Sequence, residues 1–215
     1  MNEAQFDFGP LLIKKNPETR TEEKVKDVNG TFFTISNNGK YKLHAAFTLR
    51  STLPPEEGGP TEKSPFIIEP QEAILDVDET LNLNVFAFPD EAKNFKDEVI
   101  VLIKDNPNPV ILPISCRGEK PVVITDLETV KFERALIGNK PEKKLTLENK
   151  CAIECKWAFT GVDKLSQEFS ISKTSGTLKP CATEVVTITF NSIADKKFLE
   201  TFKLEVEDVE GYSIK

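Results

Sequence analysis

Four cysteines are the residues of this 215-residue chain with the clearest capacity for chemistry. Thiols can bind metal ions, form disulfides or act as nucleophiles, and Cys151 and Cys155 are only four residues apart. Alternate positions from Cys151 to Phe159 read Cys, Ile, Cys, Trp and Phe, which predicts one apolar face of a β-strand. Residues four apart on an extended strand are too distant to bridge, so we expect free thiols that pack as small core hydrophobes.

The other two cysteines do not complete a metal site. Cys116 continues the face of Leu112 and Ile114, which predicts a buried thiol, whereas Cys181 follows a proline in a predicted turn and is expected to be exposed. A zinc site needs a second pair of ligands, and the chain contains one histidine, His44. We therefore predict that the protein binds no metal.

The remaining patterns do not form a catalytic set. A single histidine removes most Ser-His-Asp, Cys-His and HExxH schemes. Gly58 and Gly59 lie in a proline-rich stretch without the Lys and Ser/Thr of a phosphate-binding loop. The carboxylates of Asp76 and Asp78 alternate along the chain, which indicates a solvated face rather than a glycosidase pair. We predict no catalytic residue, no cofactor and no enzymatic activity.

Charge and hydropathy exclude further classes of function. The chain has 28 Lys and Arg against 35 Asp and Glu, a net charge of −7, which argues against a general nucleic-acid or anionic-membrane binder. No apolar run approaches the roughly 20 residues that span a bilayer. The N-terminus is acidic and has no signal-peptide core. We therefore expect a cytosolic chain that binds neither nucleic acid, membrane nor a small-molecule substrate.

The elements that would position these residues are predicted to be β-strands. Six segments alternate in polarity or are rich in β-branched and aromatic residues: 80–88, 98–104, 110–116, 143–149, 184–190 and 198–208. No segment keeps helical spacing for more than two turns. Segments 14–27 and 51–64 are charged or rich in Pro and Gly, which predicts loops. Many short strands between turn signals predict an all-β fold of antiparallel sandwiches.

An internal repeat divides this pattern in two. Phe66, Ile68, Leu75, Val85, Phe95 and Asp105 are matched at an offset of 103 by Phe169, Ile171, Leu178, Ile188, Phe198 and Asp208. A repeat of about a hundred residues fits one whole small domain. The sequence therefore predicts two tandem immunoglobulin-like sandwiches, residues 1–119 and 120–215, joined by a short linker.

The ends of the two predicted domains differ. The first domain has five residues before Phe6, whereas the second has a long lead-in before Phe132. After Asp105 the first domain continues with NPNPVILPISCRG, whereas VEGYSIK follows Asp208. We interpret the N-terminal edge of the first domain and the C-terminal strand of the second as truncated. On this interpretation the chain is part of a longer array.

Several strings resemble a known family. FDFGPLLI, KDNPNPVILPISCRG and the set KFERALIGNKPEKKLTLENK, KWAF, FSIS and GTL are similar to hydin-type ASH domains, which belong with the major-sperm-protein-like (MSP-like) domains. The resemblance covers nearly the whole chain. It implies a PapD-like immunoglobulin sandwich, a non-enzymatic role and residence in the central apparatus of the axoneme of motile cilia and flagella.

Three pattern residues also have a physical interpretation. Asn149 ends a predicted strand, where its side chain can bond neighbouring backbone and stabilise a turn. Trp157 lies on the apolar face of the following strand and is predicted to be the centre of its core. The first domain has no matching Trp, and we predict that Phe47 takes its place.

These observations lead to two hypotheses on function. The first is a structural scaffold segment that contacts other central-pair proteins and neighbouring ASH domains of the same chain, by edge-strand pairing or by loops at the sandwich ends. The second is a soluble MSP-like adaptor whose basic groove binds short acidic peptide motifs, which the charge of −7 disfavours. An extracellular adhesion domain is disfavoured because the thiols are predicted to be free. The sequence does not indicate which residues form the contacts.

Overall fold

β-Strands account for nearly all regular structure in the part of the chain that the computed structural model describes: residues 5–13, 29–53 and 63–207, with the backbone alone of 209–214. The chain divides into two compact units, Met1–Glu119 and Lys120–Lys215. The loop predicted at 14–27 and residues 54–62 of the second predicted loop lie outside the described residues. No helix of the described part is long and apolar enough to cross a membrane.

The first unit is a sandwich of a five-stranded and a three-stranded sheet. Its strands are β1 (Phe6–Leu12), β2 (Gly30–Ser36), β3 (Leu43–Leu49), β4 (Phe66–Glu69), β5 (Glu72–Leu75), β6 (Thr80–Ala87), β7 (Asn94–Ile103) and β8 (Val110–Glu119). One sheet has the order β1-β8-β7-β3-β5 and the other β2-β6-β4. Every pairing is antiparallel except that of β1 with β8, which is parallel.

The second unit is a sandwich of two four-stranded sheets. Its strands are β9 (Val123–Thr125), β10 (Glu142–Asn149), β11 (Cys155–Thr160), β12 (Phe169–Ile171), β13 (Ser175–Leu178), β14 (Thr183–Phe190), β15 (Phe202–Val206) and β16 (Val209–Ile214). The sheet orders are β12-β14-β10-β9 and β13-β11-β15-β16. The predicted all-β sandwich fold is confirmed.

Each unit buries the alternating apolar faces of its strands. In the first unit Val85, Val99 and Ile114 are at most 1% exposed, and in the second Leu145 and Leu204 are fully buried. These residues lie on facing strands of the two sheets, so the period-two pattern places them in one core per unit. Burial of this apolar surface is the main force that holds each sandwich together.

The repeat has two offsets rather than one. The strands β4, β5 and β6 recur as β12, β13 and β14 at the predicted offset of 103, but β2 and β3 recur as β10 and β11 at an offset of 112. The change occurs between β3 and β4, in the stretch that contains residues 54–62. The first unit therefore carries nine more residues at this connection than the second.

The second offset corrects the predicted counterpart of Trp157. Trp157 pairs with Gly176 on β13, and the equivalent pair in the first unit is Ala45 with Ala73 on β5. Phe47, which was expected to replace the tryptophan, corresponds instead to Phe159. The first unit therefore has a methyl group at the position where the second has an indole.

Two predicted strands also begin later than expected. The segment 198–208 is a strand only from Phe202, because its ladders with β11 and β16 extend no further towards the N-terminus. The apolar stripe from Cys151 is a strand only from Cys155, because residues 151–153 form a bend. Both differences concern side chains that the site below uses.

Candidate functional site

A cleft on the second unit is lined by five phenylalanines, four of which form one ring cluster. We call it the phenylalanine groove, after the rings of Phe132, Phe169, Phe190 and Phe198. Its volume is about 1350 Å³. Its floor is formed by β12 and β14, where Phe169 lies directly across from Phe190 and Ile171 across from Ile188.

The rings pack on one another as a continuous cluster. The centroid of Phe190 lies 5.0 Å from that of Phe169, 5.6 Å from that of Phe132 and 5.2 Å from that of Phe198. Tilted and edge-on arrangements at these distances are favourable for aromatic pairs. The cluster joins the two irregular segments before β10 and before β15 to the sheet, and thereby fixes the two walls of the groove.

Backbone hydrogen bonds join the two walls at one end. The amide of Gly138 donates to the carbonyl of Ser192 at 2.7 Å, and the amide of Ser192 donates to the carbonyl of Asn139 at 3.2 Å. Gly138 has φ +90°, a conformation that suits glycine because it has no Cβ. This exchange holds the segment before β10 against the segment after β14.

Large apolar side chains stand exposed on these walls. Leu136 is 76% exposed, Ile137 64% and Leu199 79%, whereas Ile188 on the floor is 3% exposed. Contiguous exposed apolar side chains around a cleft are typical of surfaces that contact another protein. The groove can therefore bury an apolar segment, which would remove these walls from water.

The rim of the groove has a nearly balanced charge. It carries the basic side chains of Lys131, Arg134, Lys196 and Lys197 and the acidic side chains of Glu133, Asp195 and Glu200. One of the lysines, Lys196, has its Nζ 4.6 Å from the ring centroid of Phe198 and 3.9 Å from a carboxylate oxygen of Glu168. A balanced rim does not select acidic peptides, and the groove differs in this from the basic groove of the adaptor hypothesis.

The sequence did not predict the groove. Phe169 and Phe198 were noted as members of the repeat and Phe132 as part of a lead-in, but nothing local indicates that their rings meet. Phe95, the repeat partner of Phe198, lies in β7 and is buried in the core of the first unit. The one available signal is the composition, since fifteen of the chain's aromatic residues are Phe.

A second constellation surrounds Asn149, at the end of β10. Its Nδ2 donates to the carbonyls of Ile153, Leu178 and Lys179 at 2.8, 3.2 and 3.0 Å, and the residue is fully buried. Its Oδ1 accepts from the amide of Cys151 at 3.0 Å. The predicted role of Asn149 in a turn is confirmed.

The four cysteines occupy different environments. Cys116, Cys151 and Cys155 are buried, Cys181 is exposed, and all four are free, as predicted. Burial raises the pKa of Cys116 to about 12, with a smaller contribution from the charge of Asp7. Burial also raises the pKa of Cys155 to about 12, with help from its hydrogen bond with the neighbouring thiol. Among the described residues no group of three or more His, Cys, Asp and Glu side chains could hold a metal ion.

Trp157 is the predicted centre of the second core, and the structure confirms its burial. It is 2% exposed, and its ring packs edge-on against Phe159 at 5.1 Å. The indole Nε1 donates to Oε2 of Glu184 at 3.2 Å, so its polar group is satisfied. Gly176 lies across from it, where a Cβ would meet the side chains of Lys173 and Glu184, and the Nζ of Lys173 lies 5.8 Å from the indole ring centroid.

Comparison with known proteins identifies relatives over both units. The chain is 26% identical over 207 residues to the hydrocephalus-inducing protein of Mus musculus, covering 96% of this chain and 4% of that protein. It is 26% identical over 194 residues to cilia- and flagella-associated protein 65 of Chlamydomonas reinhardtii, covering 90% of this chain and 8% of that protein. The chain thus spans a small fraction of the length of these relatives, neither of which is named as an enzyme.

Solved structures with a similar fold include an ASH/PapD-like domain of human CEP192. It is 23% identical, with a TM-score of 0.36, and the match covers 39% of this chain and 70% of that domain. The CupB2 chaperone of Pseudomonas aeruginosa is 12% identical, with a TM-score of 0.36, and the match covers 99% and 98% of the two chains. Both TM-scores are low, so the assignment of the sandwich fold rests on the strand pairing of the chain itself.

A family model matches the second unit. It describes the HYDIN/CFA65/VesB-like Ig-like domain and covers residues 121–215, which include every strand of that unit and the phenylalanine groove. The predicted resemblance to hydin-type ASH domains is confirmed, since residues 121–215 match the model of the HYDIN/CFA65/VesB-like Ig-like domain.

Proposed function

We propose that this chain is a non-enzymatic scaffold segment of a large ciliary protein, and that it supports ciliary motility through protein contacts in the central apparatus of the axoneme. The observation that carries the proposal is the similarity of both units to the hydrocephalus-inducing protein and to a cilia- and flagella-associated protein. Those proteins are many times longer than this chain, which suits a segment whose role is to space and position partners.

The phenylalanine groove is the surface that we assign to such contacts. Its exposed walls and partly buried aromatic floor suit an apolar segment of another central-apparatus protein, and neighbouring Ig-like domains of the same protein are further partners. Its balanced rim gives no support to the acidic-peptide adaptor, so we do not propose that function. The free thiols are compatible with a reducing compartment.

Localisation tests the first part of the proposal. The protein that contains this chain, tagged at its natural locus, should concentrate inside motile cilia, and immunoelectron microscopy should place the tag between or beside the two central microtubules. A tag found on the outer doublets, on the ciliary membrane or only in the cell body would contradict the proposal.

Crosslinking tests the groove. A photoreactive residue at Ile137, which also lines the groove, should capture a central-apparatus protein in isolated axonemes, and Leu136→Lys with Leu199→Lys should abolish the capture. Val185→Lys is the matched control, because Val185 is 54% exposed on the same unit but lies outside the groove. Equal capture by the groove variant and the control would remove the groove from the proposal.

A further inference from the structure

Two thiols of the second unit lie in contact. The Sγ atoms of Cys151 and Cys155 are 3.2 Å apart, with Cys151 in the bend after β10 and Cys155 at the first position of β11. On one extended strand the two residues would be about 13 Å apart, so the strand predicted from the alternating pattern is wrong here. The bend folds the chain back and brings the two side chains together.

The two thiols are enclosed by the protein. Cys151 is 5% exposed and Cys155 1%. The thiol of Cys151 donates to Oδ1 of Asn149 at 2.8 Å, and Cys155 is 3.4 Å from the same oxygen. The carbonyl oxygen of Ile153 lies 3.6 and 3.8 Å from the two sulfurs, and both cysteines belong to the apolar core that contains Trp157 and Leu178. Two thiols that share one acceptor are thereby held facing each other.

The turn itself does not require the thiols. The first unit builds the same turn on Asn37, with Gly39 and Leu43 at the positions of Cys151 and Cys155. Gly39 donates to Oδ1 of Asn37 at 3.0 Å, as Cys151 does to Oδ1 of Asn149. A cysteine pair that the fold does not need, placed at contact distance, points to a chemical role.

We propose that Cys151 and Cys155 form a reversible disulfide, a modification site of the second unit that responds to small-molecule disulfides such as oxidised glutathione. The first thiol loses its proton and attacks a sulfur of the oxidant, which releases one glutathione thiolate. The second thiol loses its proton and attacks the protein sulfur of the mixed disulfide, which releases the second glutathione. Two protein thiols are oxidised and one glutathione disulfide is reduced to two thiols.

The structure favours the intramolecular second step. The Sγ atoms must approach from 3.2 Å to about 2.0 Å, a small movement for side chains on either side of a bend. Oxidation removes both S–H donors from Oδ1 of Asn149 but leaves the amide of Cys151 as a donor to that oxygen. The buried acceptor therefore keeps a partner in both redox states.

A redox titration of the native chain tests the proposal. Trypsin cleaves after Lys150 and Lys156, so both cysteines lie in the single peptide 151–156. The chain is equilibrated with mixtures of reduced and oxidised glutathione, quenched with acid and alkylated, so that each free thiol carries an alkyl label. As the mixture becomes more oxidising, this peptide should lose both labels together. The unlabelled peptide should be lighter than its reduced form by two hydrogen atoms. Cys116 should remain fully labelled after denaturation. The proposal would be overturned if both cysteines were alkylated at every ratio of reduced to oxidised glutathione. A stable glutathione adduct or a bridge from Cys151 to Cys181 would also overturn it.

The contribution of the fold is measured against the denatured chain. Because the native bend holds the sulfurs in contact, the equilibrium constant for oxidation should be about tenfold or more higher in the native chain than in guanidinium chloride. Equal constants would overturn the inference that the structure builds the site. Cys181→Ser is the matched control, since Cys181 is exposed and its replacement should leave both constants unchanged.

Discussion

The two units build one turn with different side chains. Asn37 and Asn149 each donate from Nδ2 to three carbonyls, and the acceptors correspond residue by residue: Tyr41, Leu75 and Asp76 in the first unit and Ile153, Leu178 and Lys179 in the second. The residues Asp78 and Cys181, which follow in the equivalent turn, both have positive φ, 62° and 56°. The units differ in what surrounds this frame, since the second adds two thiols and an indole.

The fold requires the asparagine that both units share, whereas the two thiols and the indole are present in the second unit alone. A buried amide that satisfies several carbonyls is hard to replace, because the carbonyls would be left without partners. Two other positions hold Gly39 and Ala45 in the first unit and Cys151 and Trp157 in the second, and the strands that the two units share keep the same order. Substitutions at the shared positions should therefore affect both units, and substitutions at the divergent positions should affect one.

The largest effect is expected at the most divergent core position. Trp157→Ala removes an indole that is 2% exposed and should lower the free energy of unfolding of the second unit by about 3–5 kcal/mol. Calorimetry should show the transition of the second unit moved to lower temperature. The transition of the first unit should be unchanged, because that unit has Ala45 at the equivalent position and loses no side chain. A melt in which both transitions move equally, or neither moves, would contradict the comparison.

The shared asparagines should give smaller and matched effects. Asn149→Ala and Asn37→Ala each leave buried carbonyls without a donor and should each destabilise their own unit by about 1–3 kcal/mol. Urea unfolding of the second unit can be followed by the fluorescence of Trp157, the single tryptophan of the chain. Thermal unfolding of the first unit can be followed by calorimetry. Asn84→Ala, at an exposed position of β6, serves as the control and should change little. Destabilisation of one unit alone would show that the two turns are not equivalent in energy.

The buried thiols give each unit a dependence on alkaline pH. The pKa of Cys116 in the first unit and of Cys155 in the second is raised from 9.0 to about 12. Between these values the unfolded chain loses the proton while the folded chain keeps it, so stability is full below about pH 9 and falls as the pH rises. The slope should reach about 1.4 kcal/mol per pH unit for each thiol. Unfolding of Cys116→Ala between pH 9 and 11 in reducing buffer should have a shallower slope than that of the unaltered chain, and parallel slopes would contradict this assignment.

The sequence predicted those features that depend on local pattern. Alternation found the strands and the burial of Cys116 and Trp157, and the chemistry of Asn149 indicated a turn. Alternation gave the wrong element at Cys151 and Ile153. These two residues pack against the core at alternate positions, as strand residues do, but they lie in a bend. The sequence missed Ala45 because the two offsets differ by nine residues, and it missed the groove because Phe132 and Phe198 meet only after their segments fold over the same sheet.

The smallest effect is expected at Gly39, because the second unit has a residue with a side chain, Cys151, at the equivalent position. A Cβ at Gly39 would lie 3.1 Å from Oδ1 of Asn37, which is a tight contact. Cys151 carries a side chain at the equivalent position, however, and its amide keeps the bond to Asn149 at the same 3.0 Å. Gly39→Ala should therefore change the free energy of unfolding of the first unit by less than about 1 kcal/mol, because strain in the contact is offset by the lower entropy of the unfolded chain. A loss above about 2 kcal/mol in calorimetry would mean that the first turn holds its backbone differently from the second, and that the shared asparagine alone does not define the frame.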